Sequence, residues 1–424
     1  MLKYIAKYNS TIILCSVVAA ILCGIYIPEM FESLKFIGEV FINLLKLFAL
    51  PLICSALIAA LGDLSGSAST LKALSTRVIS YMFVSEIMAV AIALGLFNFF
   101  QPGAGTSADL ILNGAAHEAT GHAAFGFANF VSSIFPDNIF HALTNFELLP
   151  VAVFSILFGL GCAVAGDATK PVVQLAKGVR EACSKCLNGV MLLAPAGIFV
   201  LVGSGVAQSY MNGDLAESFM ALLAFVAVLT LGLFLHALWQ LLAVAYTSDQ
   251  KISHILHQSI PVFSTAFGTS SSVATLPLAM QTADLLKAKP LATRFMLPIC
   301  AAINVGGMMM YEMSAVLFFS QMLGLDLSLS QQILLAVACI LGGMAEGGIP
   351  ESSMVSLVVV FKIVNIPLSA ISILLPLDRI IDRMRTIVNI FGNMCGVIIV
   401  SQWMPEEELA VEAEGSSELQ LSQG

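Results

Sequence analysis

Charge is scarce in this sequence. Of 424 residues, 11% are charged and 58% hydrophobic, and the mean hydropathy is +0.94. A soluble domain carries about 25% charged residues, so this composition excludes a water-solvated globular fold and indicates an integral membrane protein. The charge that is present is unevenly placed: the net −9 owes much to Glu406, Glu407, Glu408, Glu412, Glu414 and Glu418, beyond the last apolar run. That tail reads as disordered and says nothing about a substrate. Metal-ligand spacing is missing too. The six histidines form no ligand set, and His117 and His122 lie in a Gly/Ala-rich connector. Seven of the nine cysteines (Cys15, Cys23, Cys54, Cys162, Cys300, Cys339 and Cys395) sit in apolar stretches as small hydrophobes. Cys183 and Cys186 make a lone CxxC with no second pair and no nearby histidine, and read as helix-surface thiols. Neither a cofactor nor a nucleic-acid partner is expected.

What the chain has is apolar length. Runs of the roughly 20 residues needed to cross a bilayer recur almost to residue 403. They read as spans at 10–27, 36–61, 79–100, 172–206, 219–246, 297–322 and 371–403, with a long irregular segment at 127–164. The first run is flanked by Lys3 and Lys7 and lacks a convincing small-residue cleavage site, so it reads as a span. Lys72 and Arg77, then Lys170, Lys177, Arg180 and Lys185, then Lys251, then Lys287, Lys289 and Arg294 fall in alternate connections. Segments 101–126, 209–217 and 324–332 carry no Lys or Arg, and Lys35 is the one exception to the pattern. By the positive-inside rule both termini are then cytoplasmic, in a multi-pass protein of the cell membrane.

Two segments do not behave as simple spans. One, at 252–286, has a Ser/Thr-rich centre at 264–272, and the other, at 331–366, is broken by Gly342, Gly343, Gly347, Gly348 and Pro350. Paired apolar segments interrupted in this way point to re-entrant hairpins in a transporter with inverted repeats. A serine run also serves as a close-packing surface between membrane helices.

Polar residues inside apolar runs mark the working parts. At helical spacing Asp378, Asp382, Arg385, Asn389 and Asn393 share one narrow face, while Ile380, Ile381, Ile387, Val388 and Phe391 cover much of the rest. Ionisable groups are costly in a bilayer, so such a stripe faces a bundle interior or a substrate pathway. Asn304 opens a second polar run that ends at Glu312, and its Gly306-Gly307 pair reads either as a locally unwound helix or as a packing notch. Ser85 and Glu86 lie deep in the third span. A carboxylate there either exchanges protons or pairs with a buried arginine.

With these motifs in order, the chain resembles the glutamate transporter family, the dicarboxylate/amino acid:cation symporters, from about residue 10 to 402. The likeness rests on 270–277, 304–312, 347–350 and Asp382-Arg383-Met384-Arg385-Thr386 with Asn389, supported by 188–191 with Ala194-Pro195. It implies an all-α membrane protein of about eight transmembrane helices and two re-entrant helical hairpins, working as an elevator within a homotrimer. Residues 1–76 and 127–215 would form the scaffold. Residues 77–126 would be the third helix of the mobile domain with its loop, 216–403 the rest of that domain, and 404–424 the acidic tail.

By the same resemblance, Arg385 pairs with the side-chain carboxylate of an acidic amino acid, a task suited to a guanidinium fork. Asp382 receives the amino group, Thr386 and Asn389 add polar contacts, and Ser271 and Ser272 clasp the α-carboxylate. Met308 and Gly348 complete the substrate contacts. Ser270 stands where some prokaryotic members carry an arginine, and Arg383 matches the alternative placement in animal relatives. Asp378, Asn304, Asn393, Ser85 and Arg383 are assigned to the coupling region. There the chain departs from sodium-coupled members, having Gly306 and Asn393 where they have aspartates. Glu312 matches the proton-carrying glutamate of animal relatives, and Glu86 stands where the third helix usually offers a hydroxyl. Proton-coupled, sodium-independent uptake of glutamate or aspartate is therefore expected. The rivals are a sodium site rebuilt with Glu86 and a C4-dicarboxylate carrier, against which Asp382 argues. A serine-nucleophile enzyme lacks a histidine partner in a polar span, so the chain is not expected to be an enzyme. An anion channel would show currents without stoichiometric substrate flux. Glu346 and Glu351 bracket the second hairpin tip and have no assigned role.

Overall fold

The computed structural model describes residues 2–62, 69–106, 138–145, 148–190, 192–213, 215–248, 250–346, 353–364, 366–368 and 370–404. Among these, all regular structure is helical. The helices are α1 (Leu2–Tyr26), α2 (Met30–Gly62), α3 (Ser69–Phe100), α4 (Ile139–Thr144), α5 (Leu148–Ala165), α6 (Lys170–Val190) and α7 (Ala194–Asn212). They continue as α8 (Leu215–Thr247), α9 (Ile252–Thr269), α10 (Ser272–Leu285), α11 (Pro290–Ile303) and α12 (Gly306–Met322). Last come α13 (Leu329–Glu346), α14 (Ser353–Ile363) and α15 (Ala370–Gln402). A short 3-10 turn (Gly166–Thr169) joins α5 to α6.

Among the described residues, six stretches are long and apolar enough to cross a membrane: Thr76–Phe100, Val153–Leu187, Ala194–Asn212, Leu215–Thr247, Pro290–Met322 and Leu377–Gln402. The first two expected spans contribute the shorter apolar helices Cys15–Tyr26 and Leu50–Ala59. Outward faces are apolar: Phe219, Leu223, Phe234, Leu238 and Leu242 of α8 are all exposed, as suits contact with lipid tails.

Two expectations need correction. Residues 172–206 are not one span. The chain turns between α6 and α7, where Pro195 lies in the first turn of α7, a position at which its missing N–H costs nothing. Lys177, Arg180 and Lys185 consequently lie on the first of two helices. The break in the seventh span falls at Asn304 and Val305, whose backbones are non-helical, and Gly306 and Gly307 already belong to α12.

The helices pack in two groups that also meet, α15 lying on α7 and α13 on α2 and α5. In one, α1 lies on α7, and α2 on α5, α6 and α7. In the other, α12 packs on α3, and α15 on α8, α9, α10 and α11. Phe225 of α8 joins three of these, its ring centroid 5.7 Å from Phe97 of α3 and 5.0 Å from Phe318 of α12. Apart from Gln321, every residue of α12 is buried, the pattern of a helix surrounded on all sides.

Candidate functional site

The first hairpin forms as its sequence requires. Ser270 takes a left-handed backbone (φ 50°), ending α9, and Ser271 caps α10 by accepting the Ala274 N–H at 3.2 Å. Ser272 is buried behind it. The second hairpin is described by its two arms, α13 and α14, which pack on each other. Its tip, with Gly348 and Glu351, lies outside the described residues, as do the side chain of Glu346 and the acidic tail after Met404.

The stripe on α15 becomes a buried cluster. Arg385 is 1% exposed and its Nη2 donates to Asp378 Oδ1 at 2.8 Å and Asp382 Oδ1 at 3.0 Å. The same nitrogen donates to Ser353 Oγ at 3.1 Å, and Ser353 Oγ in turn donates to the Asp378 carboxylate at 3.2 Å. The guanidinium carbon lies 4.3 Å from the Tyr311 ring centroid, a cation–π contact that adds to the hold. A buried ion pair is costly to desolvate, and here Tyr311 of α12, Ser353 of α14 and the two aspartates of α15 surround the guanidinium together.

Glu312, one residue beyond Tyr311, is fully buried and accepts the Ser356 hydroxyl of α14. Thr386 bonds back to the Asp382 carbonyl at 2.8 Å. Asn389 Oδ1 accepts the Gly307 N–H at 2.8 Å, satisfying from α15 one of the donors that the start of α12 leaves open. A Cβ on Gly307 would stand 3.0 Å from that oxygen, so only glycine permits the approach without a shift. Met308 is buried in the apolar core.

A second cluster surrounds the helix break. Asn304 Nδ2 donates to Asn393 Oδ1 at 2.6 Å, and the Tyr81 hydroxyl donates to the Gly392 carbonyl at 2.7 Å. Ser85 is buried near Tyr81, and Glu86 is fully buried with neither carboxylate oxygen hydrogen-bonded among the described residues. The arginine partner considered for Glu86 is therefore not found there. Arg383 stands apart from both clusters, its guanidinium carbon 5.4 Å from the Phe267 ring centroid on α9.

Four contributors escaped sequence reasoning. Ser353 and Ser356 gave no signal, because serines beside a hairpin tip look like ordinary packing residues. His236 and Gln240 did give one. They are polar, four residues apart in the span at 219–246, fully buried, and bonded at 2.8 Å between His236 Nε2 and Gln240 Nε2. A cavity of about 750 Å³ lies elsewhere, between α2, α4 and α6, and none of these residues lines it.

Comparison with known proteins covers the same ground. Residues 10–403 match the model of the sodium:dicarboxylate symporter family. A proton/sodium-glutamate symport protein of Geobacillus stearothermophilus is 31% identical over 92% of each chain. A proton/glutamate-aspartate symporter of Escherichia coli (strain K12) is 28% identical, again over 92% of both. A C4-dicarboxylate transport protein of Paracoccus denitrificans is 28% identical over 92% of this chain and 86% of its own.

Proposed function

The chain belongs to the sodium:dicarboxylate symporter family, and from that premise we propose that it takes up acidic amino acids, glutamate or aspartate, in symport with protons and without sodium. One observation carries this reading: Arg385, buried and charge-paired with Asp378 and Asp382 at 2.8 and 3.0 Å, is a guanidinium already desolvated and shaped for a carboxylate. A substrate carboxylate would take over part of that pairing, leaving Asp382 to receive the amino group. Thr386, Asn389 and Met308 on α12 and α15 are the further proposed contacts, with Ser271 and Ser272 at the first hairpin tip; Gly348 is assigned to the second tip by family resemblance and lies outside the described residues. Glu312 is the proposed proton carrier and Glu86 a second buried carboxyl. Gly306 and Asn393 supply no anionic ligand, which favours protons over sodium.

Transport would follow an elevator scheme. A scaffold of α1, α2 and α5–α7 would hold a homotrimer, and α3 with α8–α15 would move; packing that is denser within each group than between them supports the division. Both termini would be cytoplasmic. Uptake of radiolabelled glutamate and aspartate into proteoliposomes, with succinate as competitor, tests the substrate assignment. Competition by unlabelled glutamate with indifference to succinate is expected.

A second reading has support in the C4-dicarboxylate relative. Against it stands Asp382, whose carboxylate would repel a substrate lacking an amino group. Potent inhibition by succinate would favour this second reading.

A further inference from the structure

Glu312 lies between the two arms of the second hairpin. On the α13 side, Oε2 is 3.7 Å from where a Cβ on Gly342 would stand. On the α14 side, the Ser356 hydroxyl donates to Oε1. That hydroxyl has one proton and two acceptors within reach, the second being the Ser353 carbonyl at 3.1 Å. Ser353 leads on to the substrate cluster, since its own hydroxyl donates to Asp378 and accepts from Arg385.

We propose that Ser356 and Ser353, one turn apart on α14, form a relay in which Ser356 holds Glu312 and Ser353 holds the Arg385–Asp378 pair, so that the protonation state of Glu312 sets how firmly α14 grips that pair. This rests on Glu312 being the proton carrier. With Glu312 charged, Ser356 donates to its carboxylate and α14 is drawn against α12. With Glu312 protonated, the carboxyl O–H donates to Ser356 Oγ, and the Ser356 proton turns to the Ser353 carbonyl. No covalent bond other than that to the arriving proton changes. The relay makes Ser353 and Ser356 positioning residues: they act on substrate through Arg385 and Asp378.

Other titratable or charged groups on the helices packed against α12 are Arg77, Tyr81 and Glu86 on α3, Glu217, His236 and Tyr246 on α8, Cys339 on α13, and Asp378, Arg379, Asp382, Arg383, Arg385 and Cys395 on α15. Tyr311 shares α12 itself, and the side chains of Lys72 on α3, Glu346 on α13 and Lys362 on α14 lie outside the described residues. Of these helices, α14 reaches Glu312 through the Ser356 hydroxyl and α13 comes near it at Gly342.

The test is the pH profile of glutamate uptake into proteoliposomes, with internal pH held constant, for the unmodified protein and for Ser356→Ala, Ser356→Thr and Glu312→Gln. A hydrogen bond donated to a carboxylate favours its charged form. Without it Glu312 keeps its proton to higher pH, and the pH of half-maximal uptake in Ser356→Ala moves up by about one unit. Ser356→Thr keeps the hydroxyl and the original midpoint. Should Ser356→Ala fail to fold, Ser356→Cys substitutes a weak donor of similar size and moves the midpoint the same way. An unmoved midpoint in Ser356→Ala or Ser356→Cys, with pH dependence abolished in Glu312→Gln, overturns the relay and leaves Glu312 as the carrier. Retained pH dependence in Glu312→Gln overturns both.

Discussion

Arg385 Nη2 lies 2.8 Å from Asp378 Oδ1, two turns back along the same helix, with both side chains withdrawn from solvent. The cation proposed to receive the substrate thus already has an internal carboxylate partner. On that proposal, binding would exchange one carboxylate contact for another, and selectivity would depend on what Asp378, Asp382 and Ser353 do when the substrate arrives.

Replacing Arg385 by Gln leaves two buried carboxylates without their cation. Breaking a buried pair from one side costs about 3–5 kcal/mol, so the melting temperature of the purified protein should fall and glutamate uptake should vanish. Glutamate affinity retained within a few fold in this variant would refute the substrate role of Arg385.

The amino group is assigned to Asp382, and Asp382→Asn tests it. Losing a charge-assisted bond of about 1.5–3 kcal/mol should weaken glutamate binding about 10- to 100-fold while improving succinate's ability to compete. Equal losses for both ligands in a competition assay would show that Asp382 does not discriminate.

Gly307→Ala places a Cβ 3.0 Å from Asn389 Oδ1 and 3.2 Å from the Arg385 carbonyl. Both neighbours are held by α15, so the expected cost is about 1–3 kcal/mol of stability, read as a lower thermal midpoint. A midpoint equal to that of the unmodified protein would mean that the contact between α12 and α15 is slack.

Glu86 discriminates between the two cation readings. A ligand that binds the folded state raises its stability by mass action. Titrating sodium chloride against a choline chloride control should leave the melting temperature unchanged. Sodium-specific stabilisation that disappears in Glu86→Ala would establish a rebuilt sodium site instead.

Much of this architecture was legible in the residues, and for a physical reason: a polar group inside an apolar run is expensive, so it is informative. Asp378, Asp382, Arg385, Asn389 and Asn393 could be placed on one buried face from spacing alone, and Ser270-Ser271 could be placed at a hairpin turn. What spacing could not reveal was pairing between helices. That Asn389 reaches across to Gly307, or Asn304 to Asn393, depends on how α12 and α15 dock. Ser353 and Ser356 were invisible for the same reason, since a serine's role is set by what its single proton can reach. The division of residues 172–206 into two helices is signalled locally, by Lys177, Arg180, Glu181 and Lys185 in the first and by Pro195 in the first turn of the second.

The most direct test of the central claim compares ion gradients. Purified protein in proteoliposomes is given radiolabelled glutamate under an imposed proton gradient or an imposed sodium gradient, at clamped voltage. The account predicts uptake driven by the proton gradient and unchanged by sodium. Uptake that requires sodium and ignores the proton gradient would contradict it.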